Sequence, residues 1–421
     1  MRISGLARPF ISFRARQFRL LWFVVTLANA AQWSYFLAVG WQAYALTHSS
    51  AWTGAVLFAV NAPNVLGSPI FGVAVDRFCR KQILVVSLAI SVFVNLALTG
   101  LSLRIAVTPI LLVLISALHG TSQSIMGITA NALIPNSVAR AELSNGIYLS
   151  GIAQRGAEFL GPALATPLLA QEGVAWVYPL SALLSAMAIL LAVGIRPSRV
   201  PLNSVESRLG WVKLFTTGLS YAVRTTRLRT LIFFSSIHCV LTMAFVSLLP
   251  GFVASSIHAR TGFYGTLLTY AGLGAISGIL TLTLWTRAQW TPSLFWSTAS
   301  LSALSVAAVS VSMRPWVIEV SIYAAGLSQG MFMSLATAMI QGIVSDDYRG
   351  RVNSLFLVMT TGVSSLAGWG YAGLAVYVSP RLLFAFMGVS FLAITSIQRM
   401  WESRHNRMQI PAAADNIQSG R

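Results

Sequence analysis

The chain has 421 residues, 56% of them hydrophobic and only 9% charged, with a mean hydropathy of +0.73. A soluble domain carries about 25% charged residues, so this composition excludes an ordinary soluble globular protein. The formal net charge of +18 would suggest nucleic acid in a soluble chain; here the basic residues flank apolar runs, so nucleic-acid binding is set aside in favour of membrane orientation.

Taken in chain order, the charge-free runs are 20–46, 51–75, 82–103, 173–195, 230–257, 261–286, 288–313, 352–380 and 382–398. About 20 apolar residues suffice for a helix to cross a ~30 Å hydrocarbon core. The expected fold is an all-α integral membrane protein of about twelve helices. They are expected near 20–47, 51–75, 82–103, 106–128, 145–171, 174–195, 229–255, 262–285, 292–312, 315–343, 352–378 and 381–400. Pro135 is expected to stand in a loop between the fourth and fifth. The first span follows a basic segment, and Ala28-Asn29-Ala30 has the look of a cleavage site. The apolar run continues past it, so an uncleaved span is expected. Cys79 and Cys239 are not expected to pair. No His, Cys or acid spacing suggests a metal, and no cofactor is implied.

The 28 Lys and Arg residues fall mostly on one side of this topology: the N-terminus, the loop around Arg77, Arg80 and Lys81, the central loop, Arg349 and Arg351, and the C-terminal tail. By the positive-inside rule both termini are expected in the cytoplasm. The organisation expected is a basic N-terminus (1–19), a six-helix bundle (20–195), a cytoplasmic linker (196–228), a second six-helix bundle (229–400) and a cytoplasmic tail (401–421). Trp211, Val212, Leu214 and Phe215 within the linker suit either an interfacial helix on the inner leaflet or a plain basic connection. A 6 + 6 plan with a cytoplasmic linker is that of transporters which rock two bundles around a midplane site.

The second loop reads Gly72-Val-Ala-Val-Asp76-Arg77-Phe78-Cys79-Arg80-Lys81. It resembles the conserved loop of the major facilitator superfamily, Gly-x-x-x-Asp-Arg-x-Gly-Arg-Arg/Lys, with Cys79 in place of a glycine. Asn29, Trp33 and Trp41, the run Ala132-Leu133-Ile134-Pro135, Gly161-Pro162, Leu249-Pro250, and Arg349-Gly350-Arg351 resemble the subgroup of bacterial enterobactin exporters and macrolide efflux proteins. The resemblance covers nearly the whole chain. It implies a conformational latch built from Gly72, Asp76, Arg77, Arg80, Lys81, Asp347, Arg349 and Arg351. Gly161-Pro162 is similar to the Gly-Pro-x-x-Gly-Gly antiporter motif, with Ala165-Thr166 replacing the glycines, and marks a helix break.

Arg155 and Glu158 are charges well inside a span, three residues apart on one helix face. Two readings stand open: Glu158 exchanges a proton during transport while Arg155 tunes it, or the pair neutralises itself and fixes packing. Candidates for the wall of a substrate cavity are Asn29, Gln32, Trp33, Asn61, His119 and His238, and interhelical hydrogen bonding is the alternative role for the polar ones. The resemblance implies a secondary transporter, not an enzyme, that exports a small amphipathic molecule (a siderophore, macrolide-like drug or metabolite) by alternating access. Proton antiport is the expected coupling, the bacterial inner membrane the expected location, and a monomer the expected state. Uptake or facilitated diffusion by the same fold is the alternative. No nucleotide-binding sequence is present to couple ATP.

Overall fold

The computed structural model describes residues 5–67, 71, 75, 78–104, 107–196, 211–257, 261–285, 291–345 and 348–408. The described residues are almost entirely helical and contain no strand. The helices are α1 (Arg16–Thr47), α2 (Ser50–Leu66), α3 (Arg80–Leu103), α4 (Pro109–Ser137), α5 (Leu143–Gln171), α6 (Val177–Val193), α7 (Trp211–Arg224), α8 (Thr226–Ile257), α9 (Thr261–Trp285), α10 (Thr291–Val311), α11 (Pro315–Ile343), α12 (Arg349–Leu374) and α13 (Pro380–Met408). Among the described residues nine of these are long and apolar enough to cross a membrane: α1, α3, α4, α6, α8, α9, α10, α12 and α13. In lipid the backbone must satisfy its own polar groups, and a helix does so within one segment.

Local signals explain the boundaries. Thr108 caps α4, its hydroxyl accepting from the Leu111 N–H at 3.3 Å, and Pro109 fills the first helical position where no donor is needed. α1 closes on His48, which adopts the left-handed conformation (φ 50°) and returns its N–H to the Tyr44 carbonyl at 2.7 Å. Gly173, at φ +88°, makes the corresponding turn between α5 and α6.

The expectation that Pro135 lies in a loop is corrected, because α4 runs on to Ser137. A proline removes one donor, and so near a helix end the neighbouring carbonyls can be served by side chains. Arg80 Nη1 donates to the Ala132 carbonyl at 2.7 Å, and Ser137 Oγ to the Leu133 carbonyl at 2.8 Å. The stretch before the first span is also more ordered than a basic tail. Gly5–Arg14 forms a 3₁₀ segment, and Ser12 bonds to Asn145 and to the Glu142 carbonyl at the start of α5.

The buried apolar residues divide by depth. One cluster (among others Phe18, Leu84, Leu133 and Ala192) lies within α1–α6, and another (among others Leu228, Phe295, Phe332 and Phe391) within α8–α13 and the end of α7. The largest cluster joins the two halves. It brings Tyr35, Leu57 and Leu169 together with Phe245, Phe252, Tyr264 and Phe384. It lies toward the end of the bundle opposite the start of α1 and the end of α13, called below the far face.

α8 and α12 are irregular. α8 passes through π-helical turns at Cys239–Met243 and Phe252–Ile257, with a 3₁₀ segment at Ala244–Leu248, and α12 through a π-helical turn at Val358–Gly362. The turns at 239–243 and 358–362 lie against each other. Such turns widen the helix and occur often at functional positions. Gln329 on α11 donates from its amide to the Thr242 carbonyl, which serves one of the backbone groups in that stretch.

Candidate functional site

α5 bridges the two halves, because it packs on α1 of its own half and on α9 of the other. Small residues allow this. A β-carbon at Gly161 would stand 2.6 Å from the Ala30 carbonyl oxygen and 2.7 Å from Trp33 Cβ, so only glycine lets α1 and α5 approach so closely. Ser34 Oγ, fully buried, donates to the Ala30 carbonyl at 2.9 Å and sits 3.0 Å from the Gly161 carbonyl. The helix break expected at Gly161-Pro162 is corrected: α5 is helical without interruption from Leu143 to Gln171, and Pro162 only withholds the donor to the carbonyl four residues back, that of Glu158. Gly272 of α9 closes on that carbonyl, leaving no room for a side chain at this position. Further along, Thr166 packs on Gly265 and its hydroxyl lies 3.4 Å from that of Thr269.

The charge pair sits at this junction. Arg155 Nη1 donates to Glu158 Oε1 at 2.6 Å. Arg155 is twelve residues into a 29-residue helix, or about 18 Å along it at 1.5 Å per residue. Its side chain is 38% exposed and that of Glu158 18%. Ala157, between them, is fully buried in the first half with Ala30, Ala31 and Leu184, so the charged residues stand off that core. Arg155 lies within electrostatic range of Cys239 on α8, in the opposite half, and Cys239 Sγ is 3.7 Å from Met333 Sδ on α11. The pair is thus placed where the two halves face each other, beside the π-helical turn of α8.

The other expected residues divide. Asn29, Gln32, Trp33 and Asn61 are half-buried. Asn29 Nδ2 donates to Val25 at 2.8 Å and Asn61 Nδ2 to Leu57 at 3.0 Å, each to a carbonyl of its own helix. Gln32 Oε1 is buried without a partner. Trp33 lies 5.3 Å from Phe36, ring to ring, and its Cβ abuts Gly161.

His119 and His238 were expected on a cavity wall. In this conformation both are fully buried inside their own halves. They occupy corresponding settings. His119 stacks on Tyr35 at 3.7 Å and meets Ser91 Oγ at 3.2 Å; His238 stacks on Phe332 at 3.9 Å and meets Ser302 Oγ at 3.2 Å. A histidine in an apolar span has the same sequence appearance whether it faces cavity or core. Only the pairing with serines on neighbouring helices separates the two.

Of the latch residues, Gly72, Asp76, Arg77 and Asp347 lie outside the described residues. Arg80 reaches the end of α4, as noted, and Lys81 Nζ donates to the Val193 carbonyl of α6 at 2.5 Å. Both cations thereby occupy helix C-termini, where the dipole favours them. Arg351 lies over the Tyr348 ring at 5.3 Å, and Tyr348 stacks on Tyr221 of α7 at 4.3 Å. The central connection is therefore docked through α7 onto the start of α12.

Sequence reading alone did not reveal the seam at the far face. There Trp41 stacks on Tyr264 at 5.8 Å and Phe58 on Trp369 at 5.4 Å, both pairs crossing between halves. Gly54 abuts Trp369 and Ala372, and Gly251 abuts Ser50. The glycines were visible in the sequence, but their partners, hundreds of residues away, were not.

Many membrane-crossing helices, two halves in contact and a charged pair at their junction define a multi-pass membrane transporter. The family model described as "transmembrane secretion effector" (MFS_3) matches residues 7–416, and the chain belongs to this family, of the major facilitator type. It is 20% identical over 377 residues to the staphyloferrin A transporter of Staphylococcus aureus, covering 89% of this chain and 93% of that protein. Among solved structures, a peptide transporter of the POT type in complex with alafosfalin superposes with a TM-score of 0.73 at 12% identity, covering 93% of this chain and 95% of the other. The nucleoside transporter NupG gives 0.67 at 15% identity, covering 90% and 98%. These structural likenesses bear on the fold. The family and its structural neighbours are transporters, not enzymes.

Proposed function

We propose that this protein is a secondary exporter of a small amphipathic molecule, working by alternating access and coupled to protons, in the inner membrane of a bacterium. In this reading α1–α6 and α8–α13 are two bundles of six spans, joined by the linker that carries α7, with both termini in the cytoplasm. The far face is then external, and the conformation is closed to the outside. The observation that carries the reading is the Arg155–Glu158 pair, midway along α5 and directed at the other half. A mid-span charge is costly and marks a functional position by default. Protonation of Glu158 would remove the ion pair and leave Arg155 uncompensated, so the two protonation states of the pair stabilise different relations between the halves. The staphyloferrin A transporter among the relatives supports a siderophore or similar metabolite as cargo. The protein would work as a monomer.

The test uses purified protein in proteoliposomes with a pH gradient of either sign. Lumenal pH is followed while siderophores, macrolides and dyes are added. Substrate-dependent proton movement, abolished in Glu158→Gln, is expected. Substrate movement without proton flux, unchanged in the variant, would make the pair structural and the protein a facilitated-diffusion permease.

A further inference from the structure

We infer that Arg155 is the docking residue for an anionic group of the substrate, and that this anion competes with Glu158 for the guanidinium. The cargo is therefore an amphipathic organic anion, most simply a carboxylate. This rests on the export reading above and names the chemical class that the same site takes.

Three observations carry it. First, Arg155 is under-used. Its one hydrogen bond among the described residues is from Nη1 to Glu158, at 2.6 Å. A guanidinium has five N–H donors in a rigid fork, so most of its capacity is left for something else. A pair serving only to hold packing would bury those donors against carbonyls or hydroxyls. Here the side chain is instead 38% exposed, twice as open as that of Glu158 at 18%, so an incoming group meets the cation more readily than the acid.

Second, among the described residues no acid across the gap neutralises it. The residue of the opposite half within electrostatic range is Cys239, which contacts the thioether of Met333. Among the described acidic residues Glu158 is the one placed near the middle of a long helix; Glu319, the next candidate, is the fifth residue of α11. A cationic cargo would find one carboxylate that already holds an arginine. An anionic cargo finds a fork with free donors, to which a carboxylate can bind in bidentate fashion.

Third, an apolar surface stands beside α5 six residues further on, about 9 Å along the helix axis. Gly161 lies against Trp33, whose ring is 5.3 Å from that of Phe36, and both rings are half-buried. A charged head at Arg155 and an aromatic or aliphatic body along Trp33 and Phe36 describe an amphipathic anion.

The experiment measures binding, not transport, so its failure is distinguishable from failure of the export reading. Purified protein in nanodiscs is titrated calorimetrically with aryl-alkyl carboxylates and the matching neutral amides, such as 4-phenylbutyrate and 4-phenylbutyramide. Wild type is expected to prefer carboxylates. Arg155→Gln should reduce carboxylate affinity by about tenfold to a hundredfold, the loss of a charge-assisted hydrogen-bonded contact, and leave the amides unaffected. Arg155→Lys should recover part of the preference, since it keeps the charge and loses the fork. Glu158→Gln should tighten carboxylate binding by several-fold, because the competitor is removed. Opposite signs for the two members of one ion pair are the signature: loss of fold would weaken both carboxylates and amides in either variant. Equal affinity for carboxylates and amides across the set in wild type, or weaker carboxylate binding in Glu158→Gln, overturns the proposal. A carboxylate preference that persists where proteoliposomes show no proton movement would retain the docking role and remove the proton coupling.

Discussion

Substitution of Gly54 by valine is expected to open the far face. Gly54 is on α2, and a β-carbon there would stand 2.6 Å from Ala372 Cβ and 2.9 Å from Trp369 Cα of α12. Carbon atoms in contact prefer about 3.5–4.0 Å, so the two helices must part by about 1 Å. Neither contact atom is the end of a flexible chain, so rotamer change cannot relieve it. Overpacking of this kind costs about 1–3 kcal/mol. The cost falls on the conformation in which α2 and α12 touch here, so the equilibrium should move about 5- to 150-fold toward the conformation open at this face, at tenfold per ~1.4 kcal/mol. The reporter is Ser50→Cys, a buried position packed against Gly251 across the same seam, in a protein whose Cys79 and Cys239 have been replaced. Modification by a membrane-impermeant thiol reagent added from outside should accelerate by that factor in Gly54→Val. A folded variant whose Ser50→Cys reacts no faster than the parent would refute the argument, since it would mean that the seam is not what closes this face.

Gly161→Ala should lower the thermal unfolding midpoint, because the new methyl would meet the Ala30 carbonyl oxygen at 2.6 Å; about 1–3 kcal/mol is expected, read by intrinsic fluorescence in detergent. Gln329→Leu removes the donor to the Thr242 carbonyl beside the π-helical turn and should cost about 1–3 kcal/mol in the same measurement; an unchanged midpoint would show that the bond carries no weight. Tyr221→Ala should free α7 from α12 by deleting the 4.3 Å stack on Tyr348, worth about 0.5–1.5 kcal/mol beyond its buried area, and limited proteolysis should then cut the central connection faster.

Most of the architecture was legible in the sequence because lipid imposes so strict a condition on the backbone. A charge-free run of sufficient length has few structural options, and the runs at 82–103, 230–257 and 382–398 became α3, α8 and α13. Legibility failed where local chemistry was supplied from elsewhere. Pro135 reads as a break until Arg80, more than fifty residues away, is seen to serve the neighbouring carbonyl. The π-helical turns of α8 and α12 left no mark in composition, since Cys239–Met243 and Val358–Gly362 contain ordinary span residues. What sets them apart is a neighbour, an amide on α11 in one case and α2 packed beside Gly362 in the other.

The candidate site was legible to the extent that its chemistry was rare. Arg155 and Glu158 stand out because charge inside a span is costly, and their spacing already implied the bond that the structure shows at 2.6 Å. Histidine and asparagine are less informative, because a bundle core and a cavity wall both offer them partners. His119 and His238 illustrate why. Each has a serine from a neighbouring helix and an aromatic ring to stack on, and those partners are drawn from two other helices in each half. Charge therefore located the junction from sequence, while the direction of each polar side chain had to come from packing. The same reasoning ranks what to perturb: a substitution at Arg155 or Glu158 tests transport, whereas one at His119 or His238 tests the stability of one half, since neither ring reaches the space between the halves in this conformation.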